Sequence, residues 1–116
     1  MRSIYVAGPY TLGDREANIK EAIDVAEELR GAGYTPIVPH LTFLWSLVHW
    51  HPYEYWLDLT MDWMLLCDAV LRLPGESKGA DREEEIAVSK GMPIFYSITD
   101  LLKTRGDYVI STKESV

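Results

Sequence analysis

The 116-residue chain contains a single cysteine, Cys67, no run of basic residues and no long apolar stretch. One thiol cannot form an internal disulfide, which points to a reducing compartment and to the cytoplasm. Lys and Arg number 11 against 18 Asp and Glu, for a formal net charge of −7. Without clustered cations a nucleic-acid backbone cannot be neutralised, so duplex DNA and RNA are excluded as partners. A small anionic ligand, which needs only a few N–H groups, is not. The most apolar stretch, Leu41–Trp50, is interrupted by Thr42, Ser46 and His49 and is too short to span a bilayer. Residues 4–7 already read as a strand, so no signal segment is expected at the start. The dinucleotide fingerprint G-x-G-x-x-G is missing. His40, His49, His51 and Cys67 lack zinc-site spacing, because His49-x-His51 is not an i,i+4 pair and no second cysteine supports it. Neither a metal nor a cofactor is expected.

What remains describes one domain over residues 1–116, with an ordinary hydrophobic share of 47%. Ser3–Ala7 is β-branched and aromatic and stops at Gly8-Pro9, the pattern of a buried strand. From Arg15 to Ala32, Ile19, Ala22, Ile23, Ala26 and Leu29 recur at helical spacing until Gly31 and Gly33. Tyr34–Val38 reads as a second strand closed by Pro39, and Tyr53–Cys67 as a mostly buried helix behind Pro52. Asp68–Leu73 is predicted as a third strand, Asp81–Lys90 as a helix ended by Gly91, and Met92–Tyr96 as a fourth strand. A helix over Ile98–Arg105 stopped by Gly106, a short strand at Tyr108–Ile110 and a polar tail from Ser111 complete the pattern. Alternating strands and helices imply a parallel sheet with helices on both faces.

The richest segment is 73–91, where an apolar strand breaks at Pro74-Gly75, passes a short loop and enters an acidic helix. In an open α/β sheet such a strand–loop–helix is where the ligand sits. Ser77 and Gly79 are suited to a phosphate or sugar through a hydroxyl and backbone N–H groups. Asp81, Glu83, Glu84 and Glu85 sit early in the helix, where the macrodipole favours negative charge, so periodicity does not choose among them. Gly8-Pro9-Tyr10 ends the first strand at the same sheet edge, as a tight turn or as a second ligand loop. Arg15 is either solvated or within reach of an anion there. Tyr5 points to the opposite face of its strand from Ile4 and Val6, either packing or orienting a carboxylate. Asp58 and Asp62 share one helical face, as a solvent stripe or as general acids with raised pKa at a crevice. Asp68 more simply caps or turns the chain. Six of thirteen aromatics (Phe43, Trp45, Trp50, Tyr53, Tyr55 and Trp56) fall between residues 43 and 56, as core, as a subunit contact or as a wall on which a base stacks.

Ile4-Tyr5-Val6-Ala7-Gly8-Pro9, Asp62-Trp63…Cys67-Asp68-Ala69-Val70 and Ser77-x-Gly79-x-x-x-Glu83…Ala87-x-x-x-Gly91 resemble the nucleoside 2-deoxyribosyltransferase superfamily. Nearest are its small uncharacterised members and the nucleoside 5′-monophosphate N-glycosidases. The resemblance covers most of residues 3–95, with the aromatic segment matching poorly. It implies a flavodoxin-like three-layer sandwich around a parallel sheet of four to five strands. It also implies a glutamate nucleophile at Glu83 that forms a glycosyl-enzyme, and an orienting phenol at Tyr5. Gly8, Pro9, Tyr10, Ser77 and Gly79 would hold a nucleotide or nucleoside, with the Gly8 loop and Ser77 on a 5′-phosphate. The superfamily's base-side aspartate falls here on Thr60, flanked by Asp58 and Asp62, either of which a local helix shift would present. Superfamily members assemble as homodimers or larger oligomers. Against this enzyme stand a nucleotide-binding module that kept the pocket without catalysis, favoured by Thr60, and a structural subunit assembled through the aromatic segment.

Overall fold

A computed structural model describes residues 1–104. Its centre is a four-stranded, all-parallel sheet in the order β2–β1–β3–β4, built from β1 (Ser3–Ala7), β2 (Thr35–Ile37), β3 (Ala69–Arg72) and β4 (Ile94–Phe95). The registers pair Ser3 with Thr35, Tyr5 with Val70 and Val70 with Ile94. β1 and β3 are the inner strands and have apolar residues on both faces, which is why they read as continuous runs rather than alternations. On one face Ile4, Val6 and Leu71 pack against Ala22 and Leu29 of α1 (Arg15–Gly31) and against Leu101. On the other, Tyr5, Ala7 and Val70 meet Met64 of α3 (Tyr53–Leu65) and Ala80 and Ala87 of α4 (Lys78–Ser89). The result is the flavodoxin-like three-layer arrangement, whose ligand crevice opens where the strand order reverses, between the carboxyl ends of β1 and β3.

β2, β3, β4 and α3 are each shorter than the sequence suggests, and α3, expected to be mostly buried, fully buries only Met64. Two further elements also differ from the expectation. Helix α4 starts at Lys78 rather than Asp81, because the Ser77 side chain accepts the Ala80 N–H at 3.1 Å and caps the helix three residues earlier. A 3-10 turn at Pro39–Leu41 leads into the aromatic segment, which opens with the seven-residue helix α2 (Thr42–Val48), for which periodicity gave no signal. Such a short helix is not stable by itself. Arg15 holds it from outside, its guanidinium carbon 4.4 Å above the Phe43 ring. Asp68 accepts the backbone N–H groups of Arg2 and Ser3 at 2.7 and 3.0 Å and pins the start of β1. Residues 98–104 are helical; the expected end of that helix at Arg105, its stop at Gly106, the strand at Tyr108–Ile110 and the tail lie outside the described residues. Among the described residues no helix is long and apolar enough to cross a membrane.

Candidate active site

A cavity of about 570 Å³ opens at the β1–β3 switch point, bounded by the loop after β1, by α2 and α3, and by the start of α4. Two glycines let its floor form. A Cβ on Gly8 would lie 3.0 Å from Leu73 Cβ, so the loop after β1 crosses β3 only without a side chain. Gly75 has φ +115° and already faces Pro9, whose Cγ would be 2.7 Å from an added Cβ. The Gly8 and Pro74-Gly75 loops therefore touch, as their places at two neighbouring strand ends suggested. His40 fixes the first of them. Its Nε2–H donates to the Pro9 carbonyl at 2.9 Å, its ring meets Tyr10 edge-on at 5.8 Å, and burial pushes its pKa below the usual histidine range.

Glu83 is singled out of the acidic cluster by its direction, for Glu84 is also half-buried but does not line the cavity. Asp81 is 62% exposed, and Glu85 faces solvent. Glu83 instead turns inward to the cavity, where its Oε2 accepts the hydroxyl of the fully buried Tyr5. Burial raises the Glu83 pKa to about 7, partly opposed by the Tyr5 hydrogen bond and by the positive charge of Arg72. Burial, with the neighbouring Glu83 charge, drives the Tyr5 phenol far above its ordinary value, so it remains a donor at every working pH. A Tyr5→Phe variant is expected to raise the Glu83 ionisation midpoint further, by on the order of one pH unit, the worth of one hydrogen bond to a charged group. Carboxyl-detected NMR titration reads this directly, and an unchanged midpoint would show that the bond does not stabilise the carboxylate.

At the far end of the cavity the first turn of α4 supplies donors. Ser77 Oγ takes the Ala80 N–H and the Ser77 carbonyl takes that of Asp81 at 2.9 Å. The N–H groups of Lys78 and Gly79 stay outside the helical ladder at the cavity rim, and Ser77 still has a hydroxyl proton to give. Lys78 adds a positive charge, which the carboxylate of Glu76, also on the cavity, offsets. The N–H groups and the hydroxyl are what suit an anion.

On α3 the residues facing the cavity are Tyr53, Trp56, Leu57 and Thr60, the i, i+3, i+4, i+7 stripe of one helical face. Trp56 is held edge-on by Trp45 at 5.7 Å and by Tyr55 at 5.0 Å, which leaves an aromatic wall. Asp58 and Asp62 lie two residues to either side of Thr60, about 200° around the helix. Both are exposed and neither lines the cavity, so the expectation that one of them faces the crevice is not met within one chain. Pro9 does not line it either, acting through its carbonyl bond to His40 and its contact with Gly75. Gly8, Tyr10, Ser77 and Gly79 do line it. Arg15 does not; it is committed to Phe43.

Sequence reasoning passed over Arg72. Its buried guanidinium donates to the carbonyls of Leu73 and Gly75 and to Asp81 Oδ1 at 2.9 Å, tying the loop before α4 to the helix that carries Glu83. The available signal was a lone cation in an otherwise apolar strand. His40 had no comparable signal, because nothing local marks a histidine whose partner is 31 residues away. Among the described residues no group of three or more His, Cys, Asp or Glu is arranged to hold a metal ion.

Sheet order, layers and crevice position define a parallel α/β domain with the fold of the nucleoside deoxyribosyltransferases. The chain is similar in structure to a 2-desoxiribosyltransferase from Leishmania mexicana, with a TM-score of 0.58 and 22% identity, over 81% of this chain and 62% of that one. It thus spans less than two-thirds of the length of that protein, and the likeness is one of fold. The family described as a domain of unknown function (DUF4406) matches residues 2–96, and the chain belongs to it. A comparison with curated proteins finds no match.

Proposed function

We propose that the protein cleaves, by hydrolysis or by transfer to a second base, the N-glycosidic bond of a nucleoside 5′-monophosphate or nucleoside. The observation that carries this is a mostly buried carboxylate, Glu83, hydrogen-bonded to a buried phenol and facing a cavity between an anion-binding helix start and an aromatic wall. Tyr5 occupies Oε2, so Oε1 is the oxygen left to attack. It forms a bond to C1′ as the C1′–N bond breaks, and the electron pair of that bond leaves with the base. Water or a second base then attacks C1′, the ester to Glu83 breaks, and the carboxylate is restored. Gly8, Ser77, Lys78 and Gly79 would hold the 5′-phosphate, and Trp56 would stack on the base. In this scheme the departing base takes its proton from water in the open cavity. Asp58 and Asp62 enter only where α3 of a second copy reaches a neighbouring cavity. Exposed Leu47, Val48 and Trp50, at 66, 74 and 81%, give such a homo-oligomer an apolar face; a monomer in sedimentation equilibrium at high concentration would remove that part of the scheme.

The test is release of free base, followed by chromatography, from a panel of ribo- and deoxynucleoside 5′-monophosphates and the matching nucleosides. Monophosphates are expected to react at lower KM. Ser77→Ala should cost about 1 kcal/mol of stability through the lost cap and raise KM for monophosphates by on the order of tenfold, leaving KM for nucleosides unchanged. An equal effect on both would remove the phosphate role of Ser77. A second reading, a nucleotide-binding module without catalysis, is favoured by Thr60 at the base side, where the cavity has no carboxylate. Calorimetric binding of monophosphates with no base released would establish it instead.

A further inference from the structure

The hydrogen-bonding character of the cavity changes from one end to the other. The α4 end presents mainly donors: the N–H groups of Lys78 and Gly79, the Lys78 ammonium, the Ser77 hydroxyl and the hydroxyl of Tyr53. The last lies 3.8 Å from where a Cβ on Gly79 would sit, and the Glu76 carboxylate is beside them. The α2–α3 wall presents the hydroxyls of Thr42, Ser46 and Thr60. Each of these is bonded to a carbonyl of the preceding turn: Thr42 Oγ1 to Pro39 O at 2.7 Å, Ser46 Oγ to Phe43 O at 2.6 Å and Thr60 Oγ1 to Trp56 O at 2.9 Å. A carbonyl has no proton, so in every pair the hydroxyl donates and its one hydrogen is used. From these three groups only lone pairs are left for the cavity; the hydroxyls of Tyr10 and Thr11 belong to the loop after β1. His40 beside them offers the ligand no donor, because its Nε2–H is committed to the Pro9 carbonyl and its Nδ1 is buried. The indole N–H of Trp56 lies in the ring plane, out of reach of a base stacked on the ring face.

We propose that this acceptor-only wall selects a nucleobase bearing an exocyclic amino group, adenine or cytosine, over its keto counterpart, hypoxanthine or uracil. The proposal rests on the nucleotide reading above and names its substrate class. An amino group brings two donors to a surface that has only acceptors. A carbonyl oxygen in the same place meets lone pairs, and loses its water without replacement unless a hydroxyl abandons its helix carbonyl. The opposed ends also orient the ligand, phosphate on the α4 donors and amino edge on the α2–α3 acceptors, with C1′ between them near Glu83.

Calorimetric titration of the full-length protein with AMP against IMP and CMP against UMP, and with their deoxy forms, tests this. The amino member of each pair is expected to bind on the order of tenfold more tightly, the worth of one neutral hydrogen bond made rather than left unmade. Ser46→Ala, at a half-buried helical position, and the near-isosteric Thr42→Val should each reduce the ratio while leaving the fold intact by circular dichroism. Binding of both members with equal affinity, or better binding of the keto member, overturns the inference and leaves the nucleotide reading standing. An amino preference unchanged in both variants overturns the assignment to this wall. Failure of all the nucleotides to bind overturns both.

Discussion

Glu83→Gln is expected to lower base release by at least about a thousandfold, since the amide keeps the shape of the carboxyl but cannot form the glycosyl ester. The same variant should be more stable than the parent at alkaline pH. The carboxyl ionises at 4.5 in an unfolded chain and at about 7 in the folded one, because burial penalises its charge. The native state therefore holds this proton more tightly. Below pH 4.5 the side chain costs nothing by ionising, between 4.5 and 7 the cost grows, and above 7 it is complete. At about 1.4 kcal/mol per pH unit it amounts to about 3 kcal/mol at pH 8. Gln carries no such charge, so thermal melts of parent and variant should agree near pH 4 and separate at pH 8. Coincident melts at both values would show that the Glu83 site is not desolvated. Activity in the parent should rise with pH through about 7, as the nucleophile ionises.

Arg72→Met is expected to cost about 2–4 kcal/mol, a fall in Tm of roughly 10 °C or more. Asp81 contributes little to this, for it is 62% exposed and its pairing with Arg72 is screened by water. The loss comes from the carbonyls of Leu73 and Gly75, whose buried donor disappears. A second effect separates the positioning role from plain destabilisation. The Arg72 charge holds the Glu83 pKa down, so in Arg72→Met the alkaline rise in activity should move to higher pH. Arg72→Lys keeps the charge but not the planar fork, and should restore the pH profile more fully than the stability. A pH profile unmoved in Arg72→Met would leave Arg72 a structural residue only.

The order and type of the regular elements were legible because they depend on local pattern. Ser3–Ala7 matched residue for residue, and helix α1 to within a residue. The ends of the later strands and of α3 were read one or two residues too far, and the larger errors arose where a side chain or a tertiary contact decides a boundary. Ser77 moved the start of α4 by capping, and α2 exists because tertiary contacts hold seven residues that periodicity cannot mark. In the site, the spacing from Gly79 to Glu83 was visible, whereas the reason Glu83 differs from Asp81 or Glu85 was not. Those acids are equivalent along the chain and become unequal only when Tyr5, 78 residues away, donates to one of them. Likewise the i,i+4 spacing of Asp58 and Asp62 was read correctly, but not the direction in which that face points. Helical phase is local; which phase meets the sheet depends on Met64 packing under β1 and β3.

The sequence by itself thus determined a single parallel α/β domain with a crevice at Gly8 and Pro74-Gly75, because hydrophobic period and glycine punctuation act over a few residues. Only the tertiary structure decided which acid is desolvated, that Arg72 braces its helix, and that Thr60 rather than an aspartate faces the cavity. Burial and charge coupling join residues far apart in the chain, and no short window contains both partners.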